Sequence, residues 1–332
     1  MSVQDVTSTR QRVLDELRTG EQFLLVTHEN PDGDALGSLV AMHALLKTLG
    51  KDCLVYLSPN DFPLPYEYRF FRFDDLVTAR PPDLAARTTI FLDCGNVDRS
   101  PLDVSGLPVL NIDHHHDNTR FGTVNHVVDD ASCTAEIVWD LMHALGVPGD
   151  REIAEALYVG LVTDTGRFMY ENTGRTAHLM AADLIDRGID VEAIYRRLYE
   201  GTPFAKLELL GRALRRVARF DGGALTFAYV TLADFEETGA EESYTEGIVD
   251  HLRAVEGTKV AALVRERACG GENGNSARKA SLRSTDGTVD VSVIARAQGG
   301  GGHRRAAGFS TNMSIDEIVA FLRAAVAEQL DA

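Results

Sequence analysis

The sequence predicts an α/β protein. An N-terminal, mostly parallel sheet flanked by helices occupies residues 1–195, a helical linker 196–220, and a smaller α+β C-terminal domain 221–332. Three observations predict it. Short apolar runs rich in β-branched and aromatic residues alternate with amphipathic stretches through the first half, as strands and helices do around a parallel sheet. From 174 to 220 the apolar spacing is helical. After Asp221-Gly222-Gly223 the texture changes to strands and helices in no fixed alternation.

Residues 1–20 mix charges with Val13, Leu14 and Leu17 and read as an amphipathic helix. Residues 23–27 form a compact apolar run, a buried strand, and 34–49 follow as a helix closed by Gly50. Further strands are expected at 53–57, 89–92 and 108–112, and helices at 131–145, 152–162, 176–187, 191–199 and 203–219. In the last third, 224–230 and 260–265 read as strands. A loop with Gly270, Gly271 and Gly274 leads to a strand at 279–283, and 289–297 and 314–329 have helical spacing. A parallel sheet is covered on both faces, and its ligands lie beyond the carboxyl ends of its strands.

Composition narrows the function. With 332 residues, 44% hydrophobic and 25% charged, the chain has the make-up of a globular protein of about two domains. No apolar run approaches the ~20 residues that span a bilayer, and the N-terminus lacks the pattern of a signal peptide, so no membrane and a cytoplasmic location are expected. Cys53, Cys94, Cys133 and Cys269 form no CxxC pair and read as buried thiols rather than a zinc ribbon or disulfide framework. The net charge of -17 disfavours long duplex DNA, whose binding needs a basic face that displaces counterions. A small anionic substrate held by metals and a local basic pocket fits better.

Chemistry-bearing residues gather where apolar elements stop. The strand at 23–27 ends in His28-Glu29-Asn30-Pro31-Asp32-Gly33-Asp34. His28, Asp32 and Asp34 could bind metal; the plainer alternative is a capping turn with Asp34 as N-cap. Ile90-Phe91-Leu92 ends in Asp93, and Ile112 is followed by Asp113-His114-His115-His116. The apolar helix at 157–163 ends in Asp164. A carboxylate at such a place is costly unless paired or bound to a cation. Hard oxygen with some imidazole suits Mn²⁺ or Mg²⁺ better than structural zinc. Two ions roughly 3.5–4 Å apart can lower the pKa of a shared water, clamp a phosphoryl oxygen and stabilise a leaving oxygen.

Taken in order, His28-x-x-Pro31-Asp32-x-Asp34, Asp93, Asp113-His114-His115 and Asp164 resemble the four motifs of the DHH phosphoesterase superfamily. Gly299-Gly300-Gly301-Gly302-His303 resembles the GGGH signature of its DHH-associated C-terminal domain. The resemblance covers essentially the whole chain and points to the bifunctional oligoribonuclease and pAp phosphatase group, relatives of the RecJ exonucleases. It implies a catalytic metal-binding domain over 1–195 and a substrate-binding domain over 221–332. His28 and Asp32 would hold one ion, Asp34, His114 and Asp164 the second, and Asp93 would bridge them. His115 would face the scissile phosphate and Asp113 would orient the histidines. Ser132 and Glu136, in a segment that also matches the family, would buttress the site. His116 departs from the family's usual proline and reads as an exposed bystander.

A basic island lies within this acidic chain. Lys259, Arg265, Arg267, Arg278, Lys279, Arg283, Arg296, Arg304 and Arg305 stand against only Glu266, Glu272, Asp286 and Asp290. Arg283, His303 and the glycines Gly300, Gly301 and Gly302, whose N–H groups can approach a phosphate, are the expected substrate contacts. Arg267, Arg278 and Lys279 read as a solvated face, His43, His126, His143, His178 and His251 as structural or surface residues. Arg167 is either a substrate contact or a loop anchor.

The function so read is two-metal hydrolysis, with two Mn²⁺ ions and Mg²⁺ as the alternative, of short oligoribonucleotides or pAp-type bisphosphates gripped across a cleft. The partners are then short RNA or a phosphorylated nucleotide, and a homodimer is compatible with the pattern. The rival substrates are cyclic-dinucleotide breakdown products, single-stranded DNA and pyrophosphate; the rival class is a non-catalytic nucleotide sensor.

Overall fold

A computed structural model describes residues 3–100, 102–267, 277–302 and 304–330. The chain divides into two compact units, Met1–Gly201 and Thr202–Ala332. His303, Cys269 and the loop glycines Gly270, Gly271 and Gly274 lie outside the described residues.

The first unit runs α1 (Val3–Thr19), β1 (Gln22–Val26), α2 (Gly33–Thr48), β2 (Asp52–Tyr56), β3 (Leu76–Val77), β4 (Thr88–Leu92), β5 (Val109–Asp113), β6 (Val124–Val127), α3 (Thr134–Leu145), α4 (Arg151–Asp164), α5 (Arg175–Asp186) and α6 (Val191–Tyr199). Its sheet is parallel throughout, in the order β3-β2-β1-β4-β5-β6. The period of two in each strand sorts the core. Phe23, Leu25, Ile90, Leu92, Leu110 and Ile112 face a layer built by α1 to α6, while Leu24, Val26, Phe91 and Val109 pack on Leu84, Cys94, Leu102 and Val104. Strand order reverses its sense between β1 and β4, and the crevice at such a switch point is where open α/β sheets bind ligands.

The helices α2 and α4 pack closely because glycine stands where they touch. A Cβ on Gly37 would strike the Ala156 carbonyl, and one on Gly160 would lie 2.7 Å from the Ala135 Cβ and 2.8 Å from Asp34 Oδ1. The close approach brings the carboxyl end of α4, with Asp164, toward the amino end of α2.

The second unit comprises α7 (Phe204–Arg215), β7 (Ala218–Phe220), β8 (Leu225–Val230), α8 (Leu232–Thr238), α9 (Ile248–Arg253), β9 (Val260–Glu266), β10 (Arg278–Ser284), α10 (Val291–Arg296), β11 (Gly301–Gly302), β12 (Ala306–Thr311) and α11 (Ile315–Leu330). Its sheet is mixed, in the order β11-β12-β10-β9-β8-β7, with only β8 and β9 parallel. One face carries Ala280, Leu282, Val260, Val264 and Phe309 into a core closed by Ile294, Ile318 and Leu322.

Several expected elements differ. The helix expected over 203–219 stops at Arg215, and Ala218–Phe220 pairs as an edge strand with β8. The helix expected from 131 begins at Thr134, because Cys133 is extended at φ -167° and forms the N-cap. The strands β3, β6, β11 and β12 and the helices α8 and α9 are short or glycine-rich, and such segments carry too few periods to declare themselves.

Candidate metal centre

Four connections at the carboxyl ends of β1, β4, β5 and α4 supply the site. At the first, the extended Asp32 (φ -93°, ψ -168°) is the N-cap of α2: its Oδ1 accepts from Asp34 N (3.0 Å) and Ala35 N (3.1 Å). The capping alternative therefore falls on Asp32 rather than on Asp34, and it occupies one oxygen of Asp32 only. Asp34 turns inward from the first turn and is 1% exposed. Its Oδ2 accepts from Thr134 N (2.6 Å) and its Oδ1 from Ala135 N (2.9 Å), so the carboxylate sits on the amino end of α3.

Asp93 follows β4 directly and is 2% exposed. Its φ of 58° is left-handed, a conformation a non-glycine residue holds only where the surroundings impose it. Thr134 Oγ1 donates to Asp93 Oδ1 (3.0 Å). Three imidazoles surround the carboxylate: His28 Nε2 lies 3.7 Å from Oδ2, His114 Nε2 3.6 Å from Oδ1, and His115 Nδ1 3.7 Å from Oδ1.

The ring nitrogens divide their duties. His28 Nδ1 is 2.8 Å from the Glu29 carbonyl and His114 Nδ1 is 3.4 Å from that of Ala131, which turns Nε2 of each toward the carboxylates. His114 Nε2 also lies 3.7 Å from Asp164 Oδ2. His115 differs, since its Nδ1 donates to Asp113 Oδ1 at 2.7 Å and is poorly placed to ligate. Asp113 is fully buried and accepts a second bond from Asn118 Nδ2 (2.6 Å).

Electrostatics give the donor set its character. Burial, then the neighbouring charges of Asp93, Asp164 and Asp32, drive the Asp34 carboxyl well above its ordinary range. Burial raises Asp164 to about 7 despite the opposing charge of His114. Burial opposes ionisation of Asp93 too, but His28, His115 and His114 outweigh it and hold this carboxyl below its usual range. For His115, burial favours the neutral ring, yet the Asp113 hydrogen bond and the Asp93 charge carry it to about 9.

The structure therefore brings together all six expected ligands and His115. Two donor groups form, His28 with Asp32 and Asp93, and Asp34 with His114 and Asp164, each with ligand atoms within 4.8 Å of one another. A third group, Asp93 with His114 and His115, lies alongside them. Buried carboxylates that repel one another beside correctly turned imidazoles fit hard divalent cations. Arg283, on β10, and Gly300, Gly301 and Gly302, before and in β11, belong to the second unit. His116 is exposed, and Arg167, left-handed at φ 63°, lies over the Tyr199 ring at 5.0 Å.

Residues not singled out from the sequence complete the site. Asn172 Nδ2 donates to Asp164 Oδ2 (3.0 Å) and to the Ser132 carbonyl (2.8 Å), tying the end of α4 to the start of α3. Thr134 serves Asp34 and Asp93 together, and Asn118 holds Asp113. Ser132 and Glu136, which the sequence did single out, hydrogen-bond each other across the α3 N-terminus. An isolated Asn or Thr in a polar segment carries no periodic signal; only the sight of Asp164 beside it marks Asn172.

Comparison with known proteins agrees with this geometry. Residues 22–161 match the model of the DHH family, N-terminal domain, and residues 223–328 that of the DHHA1 domain. The chain is 36% identical, over 92% of its length and 89% of the relative's, to the bifunctional oligoribonuclease and PAP phosphatase NrnA of Thermus thermophilus. It is 28% identical to a probable manganese-dependent inorganic pyrophosphatase of Streptococcus mutans, over 52% of this chain and 57% of that one. The crystal structure of an exopolyphosphatase-related protein from Bacteroides fragilis shares the fold, with a TM-score of 0.87, 24% identity, and coverage of 97% of this chain and 96% of that one. No helix among the described residues is long and apolar enough to cross a membrane.

Proposed function

The chain belongs to the DHH family and carries a DHHA1 domain, and on that premise we propose that it hydrolyses short oligoribonucleotides and pAp-type bisphosphates in the cytoplasm with two divalent cations, Mn²⁺ or Mg²⁺. The observation that carries the reading is the pair of donor groups joined at Asp93, whose carboxylate reaches His28 on one side and His114 on the other. The relationship to an oligoribonuclease and PAP phosphatase supports the substrate class. The manganese dependence in the name of the pyrophosphatase relative supports the metal.

His28 and Asp32 would hold one ion, Asp34, His114 and Asp164 the other, and Asp93 would bridge them. Bound there, the ions supply an activated water and offset charge on the phosphoryl oxygens. The protein's part is to hold the donors rigidly: Thr134 and Ala135 fix Asp34, Thr134 fixes Asp93, and Asn172 fixes Asp164. Asp113 fixes the His115 ring through Nδ1, leaving Nε2 as the nitrogen for the substrate phosphate. In the second unit, Arg283, His303 and the backbone of Gly300, Gly301 and Gly302 would bind a further phosphate.

The test is turnover of pAp, a 5′-phosphorylated dinucleotide, single-stranded DNA and pyrophosphate with Mn²⁺ or Mg²⁺, by the native chain and by Asp93→Asn. Release of mononucleotide from the first two substrates, lost in Asp93→Asn, is expected. Turnover undiminished by that substitution would overturn the two-metal assignment, and exclusive cleavage of pyrophosphate would overturn the substrate class.

A further inference from the structure

The second unit holds a charged strip that runs from one expected substrate contact, Arg283, to a cation that the expected contacts do not include, Lys279. In β10 the core takes Ala280, Leu282 and Ser284, so Lys279, Ser281 and Arg283 share the opposite face. Register places Lys279 between Arg265 of β9 and Ser310 of β12, Ser281 beside Gly308, and Arg283 beside Ala306. Gly308 in turn pairs with Gly301 of β11. Between the two cations stands Ser281, with Leu263 of β9 on one side and the glycine backbone of β12 and β11 on the other. A Cβ on Gly308 would sit 2.8 Å from the Ala280 carbonyl, so the β12 side of the strip carries no side chain there for a steric reason.

Four neighbouring cations are compensated within the protein. Arg265 pairs with Glu242 (2.6 Å), with Arg267 at 3.7 Å from the same carboxylate. Arg278 pairs with Glu266 (3.1 Å) and Lys259 with Asp286 (2.7 Å). Lys279 and Arg283 differ. Among the described residues, neither has a carboxylate within ion-pair distance, and the Arg283 guanidinium donates only to the Leu282 carbonyl (3.1 Å). Like charges directly opposite in a sheet are unfavourable, yet Lys279 stands opposite Arg265. Partial desolvation, then Arg265 and Arg267, lower the Lys279 ammonium below its ordinary value, and Glu242 and Glu246 only partly offset them. In a chain of net charge -17 two cations on one face without an ion-pair carboxylate among the described residues call for an anion.

We propose that Lys279 forms a second phosphate-binding position on the same face as Arg283, engaging a phosphate two steps further along an oligonucleotide and so favouring substrates longer than a mononucleotide bisphosphate. Four residues of strand separate them by about 13–14 Å, a span of about two phosphate steps of an extended single strand and longer than the single step between the two phosphates of pAp. Lys279 is a binding residue that sets length preference, and the solvated-face reading of its sequence position gives way to this one. The inference rests on the proposed hydrolysis of short nucleotides.

The experiment compares the full-length chain with Lys279→Gln and Lys279→Arg, using a 5′-phosphorylated triribonucleotide and pAp at fixed Mn²⁺ over a salt series. Lys279→Gln is expected to raise the ratio of the trinucleotide KM to the pAp KM about tenfold, and Lys279→Arg to restore most of it. The slope of log KM against log salt for the trinucleotide should fall by about 0.7, the contribution of one single-strand phosphate. An unchanged ratio, or equal increases in KM for both substrates, or an unchanged salt slope overturns the inference alone. Failure of the native chain to cleave either substrate overturns the functional reading and the inference with it.

Discussion

The Asp113 carboxylate and the His115 imidazole, two residues apart at the end of β5, are joined by a 2.7 Å hydrogen bond from Nδ1 to Oδ1. Because Asn118 Nδ2 donates to the other oxygen at 2.6 Å, this fully buried carboxylate accepts on both sides and has no place for an amide hydrogen. Asp113→Asn sets one N–H group against another and frees the His115 ring to turn. A fall in kcat of about 10–100-fold is expected, with bound manganese, measured by metal analysis, nearly unchanged. Loss of the metal instead would make Asp113 a support of the ligands rather than of His115.

Asn172 makes a separate prediction. It reaches Asp164 Oδ2 and the Ser132 carbonyl with one amide nitrogen, so Asn172→Ala releases a ligand without removing it. Manganese affinity, measured by titration calorimetry, should weaken about 10–100-fold, while the thermal midpoint of the metal-free protein changes little. Unaltered affinity would show that Asp164 is held by other means.

Gly160 and Gly211 are a matched pair. A methyl group on Gly160 would meet Ala135 and Asp34, whereas one on Gly211, exposed in α7, meets nothing within 4 Å. Gly160→Ala should cost about 1–3 kcal/mol through overpacking and weaken metal binding by displacing Asp34. Gly211→Ala should stabilise by about 0.5–1 kcal/mol through helix propensity. Denaturant unfolding of both variants measures the contrast.

Acid should unfold the protein partly through His126. This residue is 1% exposed in β6, with Thr9 Oγ1 3.1 Å from its Nδ1. Burial lowers its pKa from the ordinary 6.5 to about 4, with Asp140 opposing and Arg10 assisting. The unfolded chain binds a proton near 6.5 and the folded chain only near 4, so stability falls as pH drops through that window. The loss amounts to at most about 3 kcal/mol. His126→Gln should flatten the stability profile in this range, as read by urea midpoints at successive pH values; an identical slope would place the acid sensitivity elsewhere.

The sequence by itself determined the parallel sheet, the helices around it and the positions at which polar chemistry begins. His28, Asp32, Asp34, Asp93, His114 and Asp164 each stand at or just beyond the end of an apolar run, and that boundary is written in local hydrophobic periodicity. The same locality explains what stayed hidden. The edge strands β3, β7 and β11 span two or three residues, and their pairing depends on neighbours remote in sequence. Asn172, Asn118 and Thr134 acquire their roles only when α4, β5 and α3 converge, since a hydrogen-bond partner is a property of space rather than of spacing. Lys279 looks like any solvated lysine until the register sets it opposite Arg265 and in line with Arg283. Only the tertiary structure decided which oxygen of Asp32 caps a helix, which nitrogen of each histidine faces the carboxylates, and which cations lack a partner among the described residues, because each is settled by contacts between segments far apart along the chain.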